Sequence, residues 1–188
     1  HNKMHTTCPH LIKLYALILS SLLLCVSWPE LGHASSSKLH GPDSVLNNSP
    51  PKGWVDLMTH VPELRFDIRY HTADNFTTHP LPGYLTPGAW MIEAAGDALK
   101  LVQADLKKQG FQLLVYDAYR PQRGTLAMVA WAERTGQTHL LDQGYIARRS
   151  NHNRGIAIDL TLIQHPTGES VDMGTDWDTL STKSHTYN

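Results

Sequence analysis

His152 and Asp159, seven residues apart, are the two side chains of this chain best suited to share a divalent metal. His152 stands in Ser150-Asn-His-Asn-Arg-Gly155, where the glycine lets the backbone turn. The residues that follow alternate: Ile156, Ile158, Leu160 and Leu162 fall on one face, and Ala157, Asp159 and Thr161 on the other. This pattern predicts a strand from Ile156 to Leu162 with one apolar face, and Asp159 projecting from the opposite face beside small Ala157. A carboxylate in that position needs a partner, and a metal shared with an imidazole supplies one. The alternative is an ordinary strand whose aspartate caps a neighbouring loop.

Three further features bear on the choice. Asp117-Ala-Tyr-Arg-Pro121 puts Arg120 at the end of the apolar run Phe111–Asp117. An arginine on so rigid a support can stabilise the oxyanion formed when water attacks a carbonyl, or can simply pair with Asp117 at the surface. Ser150 can donate a hydrogen bond to a substrate or cap its own loop. Asp178, beside Trp177 in Met173-Gly-Thr-Asp-Trp-Asp178, can receive an ammonium group or remain a solvated turn carboxylate.

The elements that must position these residues are legible in outline. Leu64-Arg-Phe-Asp-Ile-Arg-Tyr70 alternates as a half-buried strand, and His71 to Pro87 is a turn-rich, aromatic loop able to border a cleft. Thr86-Pro87 reads as a helix start, with Met91, Ala94, Ala95, Ala98, Leu101, Val102 and Leu106 forming its apolar stripe until Gly110. Phe111–Asp117 is the next strand, and a second helix runs from about Gln122 to Arg134. A polar turn follows the metal-motif strand at His165 to Glu169. Strands and helices mixed without regular β-α-β alternation predict a small α+β domain.

With 188 residues, 41% of them apolar, the chain accommodates one domain and an appendage. Its formal net charge of −1, with no clustered basic stripe, argues against nucleic acid as a partner. Near the N-terminus, Lys13 precedes the apolar run Leu14–Val26 and the small-x-small end Gly32-His-Ala34. That is the pattern of a secretory signal peptide over residues 1–34, its apolar run too short for a comfortable membrane span of about 20 residues. The chain is thus expected to be exported to the periplasm, with no stable membrane span after cleavage; an uncleaved anchor is the alternative. Both cysteines, Cys8 and Cys25, fall in this segment, so no thiol enters the site. Residues 35–52, rich in Ser, Pro, Gly and Asn, read as a linker before a domain over residues 53–188.

Taken in order, D-x-Y-R-P, S-x-H-x-x-G-x-A-I-D and M-G-T-x-W-D resemble the D-alanyl-D-alanine dipeptidases of the vancomycin-resistance type, zinc peptidases related to D,D-carboxypeptidases. The resemblance spans roughly Trp54 to His185. It implies a central antiparallel sheet flanked by helices, and one Zn2+ per chain held by His152 and Asp159. Arg120 would polarise the scissile carbonyl, Ser150 would contact the substrate, and Asp178 would take the ammonium of D-Ala-D-Ala in a small closed pocket. The family's third zinc ligand and general base come from a Glu-x-x-His motif that has no counterpart after Asp159. The resemblance therefore implies a domain lacking its C-terminal part and a closing strand, with weak zinc binding and poor turnover. Two other readings share these residues: a D,D-carboxypeptidase or peptidoglycan endopeptidase of the same superfamily, and an inactive truncated remnant.

Overall fold

The computed structural model describes residues 49–185. Short elements follow one another as β1 (Trp54–Asp56), α1 (Leu57–His60), β2 (Arg65–Phe66), β3 (Trp90–Ile92), α2 (Glu93–Lys108), β4 (Phe111–Asp117), α3 (Gln122–Arg134), α4 (His139–Asp142) and β5 (Asp159–Gln164). Single 3-10 turns lie at Arg69–His71, Asn151–Arg154 and Thr182–Ser184. The expected signal peptide and most of the expected linker lie outside the described residues.

Strand β4 is the centre of a three-stranded sheet, with β2 parallel on one side and β5 antiparallel on the other. Leu113 and Val115 are fully buried, which is what the apolar run Phe111–Val115 predicts for a central strand. The architecture is α+β, as expected, but this sheet is mixed. The chain between β2 and β4 detours through β3 and α2 and re-enters in the same direction, the crossover that a parallel pair requires. A second, antiparallel ribbon joins β1 to β3, pairing Asp56 with Trp90 and Trp54 with Ile92.

That ribbon corrects the expected start of the first helix. Thr86-Pro87 is not its cap: the backbone from Trp90 to Ile92 is drawn into pairing with β1, and α2 begins only at Glu93. Its buried face is also different, consisting of Gly96, Leu99, Gln103 and Leu106, while Leu101 is 71% exposed. The glycine makes this choice possible, because a Cβ on Gly96 would lie 2.6 Å from Val55, so α2 can lie close against β1. Gln103, almost fully buried, accepts a 2.9 Å hydrogen bond from the Leu113 amide, a β4 donor beyond the two-residue pairing with β2. A polar residue on the buried face is thus held by a specific bond that apolar periodicity does not reveal.

Two strands are shorter than their alternation suggests. Leu64, Ile68 and Tyr70 are buried as the pattern predicts, but only Arg65 and Phe66 pair with β4, and Tyr70 stands in a 3-10 turn. The metal-motif strand begins at Asp159 rather than Ile156: the chain turns left-handed at Gly155 (φ 66°), and the Ile156 N–H donates back to the Asn151 carbonyl within the histidine loop. The Gly155 carbonyl accepts from Ile92 N–H at 3.1 Å. In contrast, α3 matches its expected limits, since Pro121 precedes its first residue and Gly136 (φ 72°) follows its end.

Gly155 is also the tightest contact between loop and ribbon. A Cβ there would come 2.3 Å from the Trp54 ring, which packs edge-on to Tyr119 with centroids 5.0 Å apart. Gly155→Ala is expected to destabilise the fold by about 2 kcal/mol or more, through the positive φ and the overlap together. Denaturant unfolding of the two proteins measures it.

Candidate metal and substrate site

The end of β4 is irregular where it matters. Val115 pairs with Leu160, but the next pair is Asp117 with Asp159, so Tyr116 is an extra residue on β4. This bulge places the two aspartates opposite each other across the strands; regular register would have set Tyr116 there. Beyond it the chain turns through Ala118 and Tyr119 into Arg120, whose backbone N–H donates to the His152 carbonyl at 3.1 Å. Strand end and histidine loop are thereby joined directly.

Asp117 is completely buried and organises the turn. Its Oδ2 accepts from Arg120 Nε at 3.0 Å and Nη2 at 2.8 Å, and its Oδ1 accepts from the Tyr84 hydroxyl at 2.6 Å. Arg120 therefore does pair with Asp117, but in the interior rather than at the surface: its side chain is 11% exposed. The guanidinium also lies 5.0 Å above the Tyr70 ring and donates to Met128 Sδ at 3.3 Å. Its Nη2 reaches Asp159 Oδ2 at 3.4 Å, so one corner of the cation faces that carboxylate.

His152 is oriented by the same turn. Its Nδ1 lies 2.8 Å from the Ala118 carbonyl, which can only accept; Nδ1 therefore carries the proton and Nε2 presents its lone pair. Nε2 is 3.4 Å from Asp159 Oδ1. Burial pulls the imidazolium down, but once Nε2 is also protonated its hydrogen bond to Asp159 and the charges of Asp117 and Asp159 outweigh that, leaving His152 above its ordinary value. Burial likewise raises Asp159, yet His152 and Arg120 hold it below the usual carboxylate range. The loop carrying His152 is braced by its own polar residues. Ser150 Oγ accepts from His152 N–H at 3.2 Å, and Asn153 donates to the Arg120 carbonyl and to Thr125 Oγ1, both at 2.8 Å.

These donors suit zinc. Tetrahedral ligands about 2.0–2.1 Å from the metal lie about 3.4 Å from one another, the separation found between His152 Nε2 and Asp159 Oδ1. Asp117 completes a group of three whose ligand atoms all lie within 4.8 Å. Its oxygens are engaged by Arg120 and Tyr84, however, so it serves as the orienting partner. Among the described residues no other His, Cys, Asp or Glu joins this group.

Asp178 comes to the same place by a separate route. Its Oδ2 accepts from the Tyr70 hydroxyl at 2.9 Å, directly beside the ring on which Arg120 rests. Burial lifts its carboxyl to about 7, opposed by the Tyr70 bond and reinforced by the Asp159 charge. Its φ of 55° is left-handed, an uncommon state for a non-glycine residue. The fold thus gathers Arg120, His152, Asp159 and Asp178, with Ser150 at the base of the loop as its cap. Asp117 as an interior anchor, Tyr70, Tyr84 and Asn153 were not nominated by the sequence. Only their polar character was visible, and nothing in their spacing marks them.

Asp178 raises a definite pH expectation. A carboxyl at about 7 in the folded protein and near 4 in the unfolded chain binds a proton preferentially when folded. It therefore lowers stability progressively from about pH 4 to about pH 7. Asp178→Asn is expected to be more stable than the parent by about 1–2 kcal/mol at pH 8 and equal to it below about pH 4. Thermal unfolding of the metal-free proteins across pH tests this.

Comparison with known proteins is consistent with this arrangement. A family model described as D-ala-D-ala dipeptidase matches residues 51–188. The D-alanyl-D-alanine dipeptidase of Streptomyces coelicolor is 36% identical, the alignment covering 65% of this chain and 67% of the relative. That of Enterococcus faecium is 34% identical over 71% of this chain and 72% of its own. That of Escherichia coli is also 34% identical, over 71% of this chain and 65% of its own.

Proposed function

The chain belongs to the D-ala-D-ala dipeptidase family, and from that premise we propose that it hydrolyses D-alanyl-D-alanine to two D-alanines with the aid of one zinc ion. The observation that carries the reading is the convergence of a His–Asp donor pair, a buried arginine and an ammonium-accepting carboxylate on one turn of the fold. We also assign residues 1–34 to export and the site to a domain starting near residue 53, so that the enzyme acts outside the cytoplasm on dipeptide from the cell wall.

His152 Nε2 and Asp159 would hold the zinc, which when bound supplies a Lewis acid and lowers the pKa of a water molecule. Arg120 directs Nη2 toward the same point and offers a fixed cation to the carbonyl oxygen as negative charge develops there. Its other bonds, to Asp117 and Met128, hold it in position before substrate arrives, so little reorganisation accompanies the reaction. Asp178 receives the free ammonium of the dipeptide. A bound cation favours its ionised form, so binding drives a carboxyl that stands near 7 toward the carboxylate. The Ser150 hydroxyl, at the foot of the histidine loop, contacts the substrate. Burial around Arg120 and Tyr70 strengthens each of these electrostatic contacts.

Three measurements test the assignment. Arg120→Lys keeps a positive charge over Asp117 but loses the planar fork, and is expected to lower kcat for D-Ala-D-Ala by about 10²-fold. His152→Ala and Asp159→Ala are each expected to abolish the weak zinc binding of the full chain, as measured by titration of the metal-free protein with zinc. N-acetyl-D-Ala-D-Ala, which lacks the ammonium, should not be cleaved; D-alanine release from it at a comparable rate would redirect the reading to a carboxypeptidase.

A further inference from the structure

The segment that delivers Asp178 has an unusual attachment. Val171 N–H donates to Leu162 on β5, but the backbone–backbone bonds made by residues 172–185, among the described residues, are all local. They run from Thr179 to Asp176, Ser181 to Thr179, Ser184 to Ser181 and His185 to Thr182. The strap over residues 172–178 is therefore located by side chains. Trp177 is the chief of these: its ring lies 5.1 Å from that of Tyr70 and 5.3 Å from that of Tyr116.

Arg69 closes the arrangement from outside the site. Its guanidinium carbon is 5.1 Å from the Tyr116 ring centre and 5.4 Å from that of Trp177. Its Nε donates to Asp67 Oδ2 at 2.8 Å, and Asp74 Oδ2 lies 3.8 Å away. The edge of the planar group is thus occupied by carboxylates while the cation engages the two rings. Tyr116 is the bulge residue of β4, so its position follows from the same irregularity that aligns Asp117 with Asp159. One cation therefore ties the strap to the strand end that carries the anchor of Arg120.

We propose that Arg69, Tyr116 and Trp177 form a cation–aromatic clamp that docks the 172–178 strap, and that Arg69 is a positioning residue for substrate affinity through Asp178. Asp178 adjoins Trp177 directly and is held in a left-handed conformation, so freeing the indole lets the carboxylate relax away from Tyr70 and Arg120. The clamp touches neither Arg120 nor the His152–Asp159 pair; it acts on binding of the ammonium end and leaves the chemical step alone. The inference rests on the reading of Asp178 as the ammonium acceptor.

The test is steady-state release of D-alanine from D-Ala-D-Ala by the zinc-loaded full chain, comparing the parent, Arg69→Met, Asp178→Asn and the double variant. Arg69→Met keeps the aliphatic stem and removes the cation; KM is expected to rise about five- to tenfold with kcat within about twofold. Arg69→Lys should recover most of that loss, because an ammonium also engages ring faces. Asp178→Asn should itself raise KM, and Arg69→Met should add nothing in that background. An unchanged KM in Arg69→Met beside a raised KM in Asp178→Asn overturns the clamp and leaves the reading of Asp178 standing. An unchanged KM in Asp178→Asn overturns that reading and the clamp with it. The same factor from Arg69→Met in both backgrounds also overturns the clamp, since Arg69 would then act elsewhere. If Arg69→Met does not fold, Trp177→Phe, with a weaker ring face, should show a smaller rise in KM of the same kind; no rise rejects the proposal.

Discussion

The buried pair of Asp117 and Arg120 is the constraint from which the rest of the site follows. Two opposite charges in an interior with little water are tolerated only when their hydrogen bonds are satisfied, and removing one partner of such a pair costs about 3–5 kcal/mol. Here the carboxylate is filled by the guanidinium and the Tyr84 hydroxyl, and the guanidinium by Asp117, the Tyr70 face and Met128. Satisfying that pair requires the strand to end where it does. It also requires the long loop after β2 to fold inward and deliver Tyr84, and the 3-10 turn to place Tyr70 beneath the cation. Through Tyr84 that loop supplies the interior partner of the strand's last residue.

The site has two kinds of attachment. Arg120, His152 and Asp159 are fastened by backbone: a strand pair, an N–H from Arg120 to the His152 carbonyl, and the Ala118 carbonyl that sets the imidazole tautomer. Asp178 is fastened by side chains alone, through Tyr70 and the aromatic group around Trp177. The groups assigned to the chemistry therefore sit on the stiffer support, and the group assigned to recognition on the more adjustable one. Tyr70 joins the two, its face under one charged group and its hydroxyl on the other. Its own ionisation is pushed well up by burial, which keeps it a hydrogen-bond donor throughout the working pH range.

Where the sequence was readable, the reason is local. Apolar runs bounded by Gly and Pro located β4 and α3, because a fully buried strand and a capped helix carry their signals within a few residues. Where it misled, a partner distant in the chain intervened. The residues after Thr86 carry a helical pattern, yet pairing with β1 outweighs it for Trp90–Ile92. Alternation over Leu64–Tyr70 describes burial correctly but not hydrogen bonding, since only two residues find a neighbouring strand.

The site divides the same way. By itself the sequence nominated the side chains proposed to carry the chemistry, since an arginine after a strand, a Ser-x-His-x-x-Gly loop, an aspartate four residues past the glycine of that loop and a Trp-Asp pair are local patterns. Only the tertiary structure decided how they are supported. The bulge at Tyr116, the interior position of Asp117, and the placement of Tyr70, Tyr84 and Arg69 depend on strand register and on loops meeting across long stretches of chain. Register is set by the total of packing and hydrogen bonding over all partners, a quantity that no single segment contains.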